Sequence, residues 1–238
     1  MAGQFNSNCV LKLKCHVALE EKRRFCDLRF FVWCAEHVRH RFTRYADDCN
    51  IYVRSRRAGE RVMSSVTRLL TTKLKLRVNS EKSTVARPWE RKFLGFSFTN
   101  HKQPKRRVAP KAVVRFKERV RELTRRTRGI SSAQMVQDLA EYLRGWIGYF
   151  GRCETPRVLE DLEKWLRRRL RSRVWKQWKR GPTGYRELRK RGIDAQEAAQ
   201  TAGSSDGPWH LADTPALNIA LSNAYFASLG LPDLTTHG

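Results

Sequence analysis

Asp47 and Asp48 stand side by side between two short runs of alternating apolar residues, Arg41 to Ala46 and Asn50 to Val53. That pattern leaves little choice of local fold: strand, tight turn, strand, with both carboxylates at the bend. Adjacent acids on a hairpin repel one another unless a cation sits between them. A divalent metal is the usual answer, and two metals about 3.5–4 Å apart support in-line phosphoryl or nucleotidyl transfer. The bare tetrapeptide Tyr45-Ala46-Asp47-Asp48 also suits a solvated turn, so its meaning rests on what surrounds it.

Beyond the hairpin, Ser55 or a near neighbour opens a helix in which Val62, Val66, Leu69 and Leu70 recur at helical spacing. Leu74, Leu76 and Val78 alternate with Lys75 and Arg77, as in a strand leading into Asn79 to Ser83. Phe93 to Phe98 reads as a strand with an embedded Gly95, where another backbone or a ligand comes close. Pro110 suits the first position of a helix striped by Val113, Phe116, Val120 and Leu123. Ser131 with Gln134 is a capping box opening a second helix, with Val136, Leu139, Leu143, Trp146, Ile147 and Phe150 on one face. Thr155-Pro156 opens a third, carrying Leu162, Trp165, Leu166, Leu170, Val174 and Trp178. Three such helices with short connections make a small bundle whose core is these stripes. Trp175 falls nearer the basic side, where it can stack a base.

Charge then restricts the partner. The 238 residues carry a formal net charge of +26, a field that gathers phosphate polymers. From His101 to Arg180 there are 24 Lys and Arg against eight Asp and Glu. Within that block Arg167, Arg168, Arg169, Arg171, Arg173, Lys176, Lys179 and Arg180 have few acids nearby, and such a cluster repels itself unless a polyanion covers it. Hydrophobic residues make up 40% of the chain, so this is a folded protein and not a basic tail. No apolar run is long enough to span a bilayer and no signal-peptide core is evident, which makes the cytoplasm the expected compartment. The cysteines, at 9, 15, 26, 34, 49 and 153, form no Cys-x-x-Cys pair, so neither a zinc ribbon nor a redox motif is supported. From Gly192 to Gly238 there is no Lys or Arg and there are five acids. That stretch reads as a loose linker through Thr201 to Pro215, then an apolar segment, Ala216 to Leu231, that packs back.

Taken in order, these motifs resemble the C-terminal part of a group II intron reverse transcriptase/maturase. Tyr45-Ala46-Asp47-Asp48 matches the family's catalytic box, Val78 to Ser83 the following palm motif, and Phe93-Leu94-Gly95-Phe96 a strand contributing to the primer grip. Leu143 to Phe150 and the Trp165 to Trp178 region resemble the maturase-specific (thumb, or X) domain. The resemblance implies an α+β fold: a partial reverse-transcriptase palm of catalytic hairpin, helix and strands, followed by an all-α thumb. It sets out residues 1–40 as a non-family or poorly ordered segment, 41–100 as the C-terminal half of the palm, 101–191 as the thumb, and 192–238 as a linker and arm. Asp47 and Asp48 are implied to be catalytic and to hold Mg²⁺. Tyr45, Ala46, Lys82, Phe93, Leu94 and Gly95 are implied to lie along nucleotide and primer. Arg115, Arg119 and Arg126 join the cluster from Arg167 to Arg180 in binding intron RNA, with DNA as a further ligand.

A palm needs another metal-binding carboxylate on a preceding strand. Only 46 residues precede Asp47, and Met1 to Val38 does not resemble the family's upstream sequence. The candidates there are Glu20, Glu21, Asp27 and Glu36. Just 19 residues separate Asp27 from Asp47, too few for the fingers and palm helix inserted at that point in the family. The chain therefore reads as a truncated member with an incomplete metal site. Two functions stay open: an RNA-directed DNA polymerase and maturase, or an RNA-binding remnant that does not polymerise. A separately encoded N-terminal fragment, or a second copy of the chain, would have to supply the rest of the site.

Overall fold

The computed structural model describes residues 9–16, 41–45, 48–72, 75 and 77–235. The chain divides into two units, Met1–Pro104 and Lys105–Gly238.

The N-terminal unit is a small antiparallel sheet under one helix. Its strands are β1 (Cys9–His16), β2 (Arg41–Tyr45), β3 (Asp48–Val53), β4 (Arg77–Val78) and β5 (Thr84–Ala86), ordered β2-β3-β1-β4 with β5 also on β1. Helix α1 (Arg56–Thr72) follows β3 and buries Val62, Val66 and Leu70, the stripe its spacing predicts. Its first turn is tied down where the Ala58 N–H donates to Ser55 Oγ at 3.2 Å, which satisfies one of the donors a helix start leaves orphaned. Beneath α1 lie Cys49, Ile51 and Val53 of β3, all buried. The close approach depends on Gly59, because a Cβ there would stand 2.6 Å from Val85 Cγ1 and 3.3 Å from Val53 Cγ2.

Two features of this unit differ from the sequence reading. The palm boundary at residue 41 is not where the sheet begins, since β1 lies at its centre and pairs with β3 over six residues, Cys9↔Val53 to Lys14↔Asp48. β3 bonds to β2 along one edge only, and β1 satisfies the N–H and C=O groups along the other. Nor is Phe93 to Phe98 one strand. Phe93 and Phe96 exchange N–H···O bonds of 2.9 and 3.0 Å around Leu94 and Gly95, which have φ of 50° and 77°. Positive φ at both central residues makes a type I′ turn, and only β6 (Phe96–Phe98) is extended. Leu74 and Leu76 lie outside the described residues.

The C-terminal unit begins with a short strand, β7 (Arg106–Val108), and continues as helices α2 (Pro110–Leu123), α3 (Ser132–Phe150) and α4 (Pro156–Gln177). Pro110 and Pro156 occupy first helical positions as expected, because Pro loses nothing where the N–H would be unpaired anyway. The core is the central part of the expected stripes: Phe116 and Val120, then Val136, Leu139, Leu143 and Trp146, then Leu162, Leu166, Leu170 and Val174 are buried, while Val113, Leu123, Ile147, Phe150, Trp165 and Trp178 are half-buried at its edge. Phe116 and Trp146 pack with ring centroids 4.7 Å apart. The capping box forms by half: Ser131 Oγ accepts from the Gln134 N–H at 3.1 Å, but the Gln134 side chain donates to Asp138 Oδ1 instead.

The expected linker and arm is folded. Helices α5 (Gly181–Lys190), α6 (Ala195–Gly203), α7 (Pro208–Leu211), α8 (Pro215–Ala220) and α9 (Asn223–Ser228) carry the chain back onto the bundle. Pro208 and Pro215 begin helices and do not mark loops. Asp194 caps α6 by accepting from the Gln196 N–H at 2.8 Å. Leu211, Leu217, Leu221, Phe226, Leu231 and Leu234 are all buried, so this segment supplies core in its own right.

Candidate nucleic-acid interface

In the N-terminal unit the register Tyr45↔Asp48 closes the β2–β3 hairpin across two residues, Ala46 and Asp47. Both lie outside the described residues, as do Glu20, Glu21, Asp27 and Glu36. On the other side of β3, Lys14 holds the register position opposite Asp48 and Lys12 the one opposite Asn50. β1 contains no Asp or Glu, and among the described residues no three His, Cys, Asp or Glu are grouped to hold a metal. Tyr45 is exposed. Lys82 is exposed on a turn built by Asn79, whose Oδ1 accepts from the Lys82 N–H at 3.0 Å. Leu94 is 39% exposed although its φ is positive. A bulky apolar side chain is held out at a strained backbone position there, an arrangement that clusters at functional sites.

In the C-terminal unit the basic residues of α4 divide between two faces. Arg167 is 4% exposed and paired with Glu163, whose other carboxylate oxygen accepts from the Leu234 N–H at 3.2 Å. Arg171 Nε donates to the Leu221 carbonyl at 3.2 Å. Arg168 Nε donates to the Trp209 carbonyl at 3.1 Å, and Arg168 Nη1 meets Asp213 Oδ2 at 3.1 Å. Arg167 and Arg171, both expected to bind RNA, thus have partners within the protein. The C-terminal segment lies on that face, where it offers the Leu221 carbonyl to Arg171 and the Trp209 carbonyl and Asp213 to Arg168. Trp175 is half-buried; it stacks edge-on against Trp178 at 5.5 Å and closes on Gly184, where a Cβ would meet its ring at 3.0 Å.

The opposite face lines a cleft of about 620 Å³ with Thr124, Arg125, Arg126, Thr127, Arg169, Ser172, Arg173, Lys176, Pro208 and Trp209. Arg169 Nε donates to Thr124 Oγ1 at 2.9 Å, and Arg173 Nη2 to the Arg126 carbonyl at 3.4 Å. Among the described residues none of the five cations here has a carboxylate partner within ion-pair distance. Arg173 Nε is buried with no hydrogen-bond partner among them. Burial, and after it the like charges of Arg121 and Arg173, lower the Arg169 pKa; burial and then Arg126 lower that of Arg173. The guanidiniums stay charged, and burial is the main cause of both shifts. Arg115, Lys179 and Arg180 are exposed on the same unit, while Arg119 pairs with Glu122 at 2.9 Å.

Sequence reasoning missed Arg125 and Trp209. The signal for Trp209 was a large aromatic in the otherwise small and polar stretch from Gly203 to Thr214. Among the described residues no helix is long and apolar enough to cross a membrane.

Two family models match the chain. One, described as reverse transcriptase (RNA-dependent DNA polymerase), covers residues 13–98. The other, described as the group II intron, maturase-specific domain, covers residues 113–192. The first begins inside β1, so it takes in residues that the sequence reading left outside the family. No curated protein matches the chain significantly.

Proposed function

We propose, for a chain that belongs to the group II intron reverse transcriptase/maturase family, that its C-terminal unit binds intron RNA through the cleft beside α4. The observation that carries this is the set of Arg125, Arg126, Arg169, Arg173 and Lys176, which have no carboxylate within ion-pair distance among the described residues. Cations held close without counter-charge gain most from phosphate, and Arg presents a fork that matches its oxygens. The binding is a maturase's contact with structured RNA. Lys179, Arg180 and Arg115 extend the basic surface beyond the cleft.

The test is RNA affinity across a salt series for the unaltered chain and for Arg126→Gln and Lys176→Gln. Each variant should weaken binding and lower the slope of log affinity on log salt by about 1, since one phosphate contact is lost. Arg56→Gln, on an exposed pair with Glu60 in the other unit, should change neither. A slope that stays the same in both cleft variants would place the RNA elsewhere.

A second reading is favoured by the β2–β3 hairpin, where Asp48 opens a strand directly across from Tyr45. In this reading Asp47 and Asp48 act in DNA synthesis, with Tyr45, Ala46, Lys82 and the Phe93–Phe96 turn along primer and nucleotide. Reverse transcriptases use Mg²⁺. The described residues do not complete a site for it, because the strand beside Asp48 offers lysines at positions 12 and 14 and no acid.

A further inference from the structure

Trp209 lies on α7, beyond the segment matched to the maturase-specific domain. It is 41% exposed and lines the basic cleft beside α4. Arg168 covers one face of its indole, with the guanidinium carbon 4.7 Å from the ring centroid. That arginine is itself fixed by the Trp209 carbonyl and by Asp213, so the ring is oriented from below before any ligand arrives. An indole backed by a guanidinium and open to a cationic cleft has the two elements that recognise an unpaired nucleotide: a flat apolar face for the base and positive charge for its phosphate.

We infer that the cleft seats one unpaired nucleotide of the bound strand, its phosphate against Arg126, Arg173 and Lys176 and its base stacked on Trp209. This rests on the reading of the cleft as an RNA-binding surface. It adds that the cleft engages a base and not only the backbone, and that it does so with a residue of the C-terminal segment. Duplex RNA, whose bases are already stacked, gains nothing from Trp209.

The experiment is fluorescence anisotropy of the full chain with a short unstructured RNA and with an abasic oligonucleotide of equal length, which keeps the phosphates and lacks the bases. Trp209→Ala should lose about tenfold or more in affinity for the RNA while staying within about twofold on the abasic strand. Trp209→Phe, which keeps an aromatic face, should bind RNA within about threefold of the unaltered chain, and Trp209→Leu, which keeps only apolar bulk, should behave like the alanine variant. Equal losses on both oligonucleotides, or full affinity in the leucine variant, would overturn base stacking and leave Trp209 a packing residue. Displacement of the RNA by micromolar free nucleoside triphosphate would also overturn it, by making the occupant a small nucleotide and not a strand. If the unaltered chain binds neither oligonucleotide, the RNA-binding reading itself fails and the stacking falls with it.

Discussion

Leu94 shows what a single residue can reveal here. At φ 50° in a two-residue turn its Cβ crowds its own backbone, while Gly in the same place does not. Leu94→Gly should therefore raise the stability of the N-terminal unit by about 1 kcal/mol, read from denaturant unfolding. If Leu94 grips the primer, the same variant should be more stable and yet hold primer–template less tightly. A destabilised variant would mean that the side chain packs more than it strains. The turn was not legible in the sequence, because Leu-Gly lacks the Asn-Gly or Asp-Gly signature of a type I′ turn. Trp209 escaped notice because an exposed aromatic in a polar stretch has no periodicity to betray it.

At the scale of elements, α4 is a helix with two basic faces, and the fate of each was decided by a segment that sequence reading took for a linker. The apolar stripes of α2, α3 and α4 could be read directly, since helical periodicity is a local property. What lay on α4 could not: Ala-rich α6 and the proline-led α7 and α8 use the same residues as loops. The Glu163–Arg167 pair now joins α4 to Leu234. Burial raises the Glu163 pKa above its ordinary value of 4.5, against the pull of Arg167. A raised carboxyl contributes stability that is complete below the unfolded value and is lost as pH rises through the folded one. Glu163→Gln removes that titration while keeping a side-chain oxygen that can accept from Arg167. The advantage of the unaltered chain over the variant in thermal melts should shrink as pH rises from 4.5 toward 7. Asp138 and Asp194, whose pKa values are lowered chiefly by the hydrogen bonds from Gln134 and Gln196, shift with the opposite sign but are common to both proteins and cancel. A difference that is flat with pH would show that Glu163 is not the titrating group.

For the whole molecule, the net charge of +26 announced a polyanion partner, and the order of motifs announced the family. The sequence could not show which cations stay open to that partner, because the groups that engage Arg168 and Arg171 come from residues far along the chain. Nor could it show that Cys9–His16 enters the sheet, since strand pairing is non-local and its apolar run is short. Whether the hairpin polymerises is answered by primer extension on an RNA template with Mg²⁺, comparing the chain with its Asp47→Asn/Asp48→Asn variant. With β1 lacking a carboxylate, the expected outcome is extension by neither protein alone; extension by the unaltered chain alone would show that a third ligand is supplied from elsewhere in it. The contacts that fasten the C-terminal segment to α4 span 41, 50 and 71 residues of sequence, whereas the turns of α4 are closed by neighbours. Loops of that length are slow to close, so in refolding the bundle helices should gain structure first and dock the segment afterwards. Until it docks, Arg167 and Arg171 stay open to solvent, and a nascent or refolding chain presents more positive charge to nucleic acid than the finished protein does.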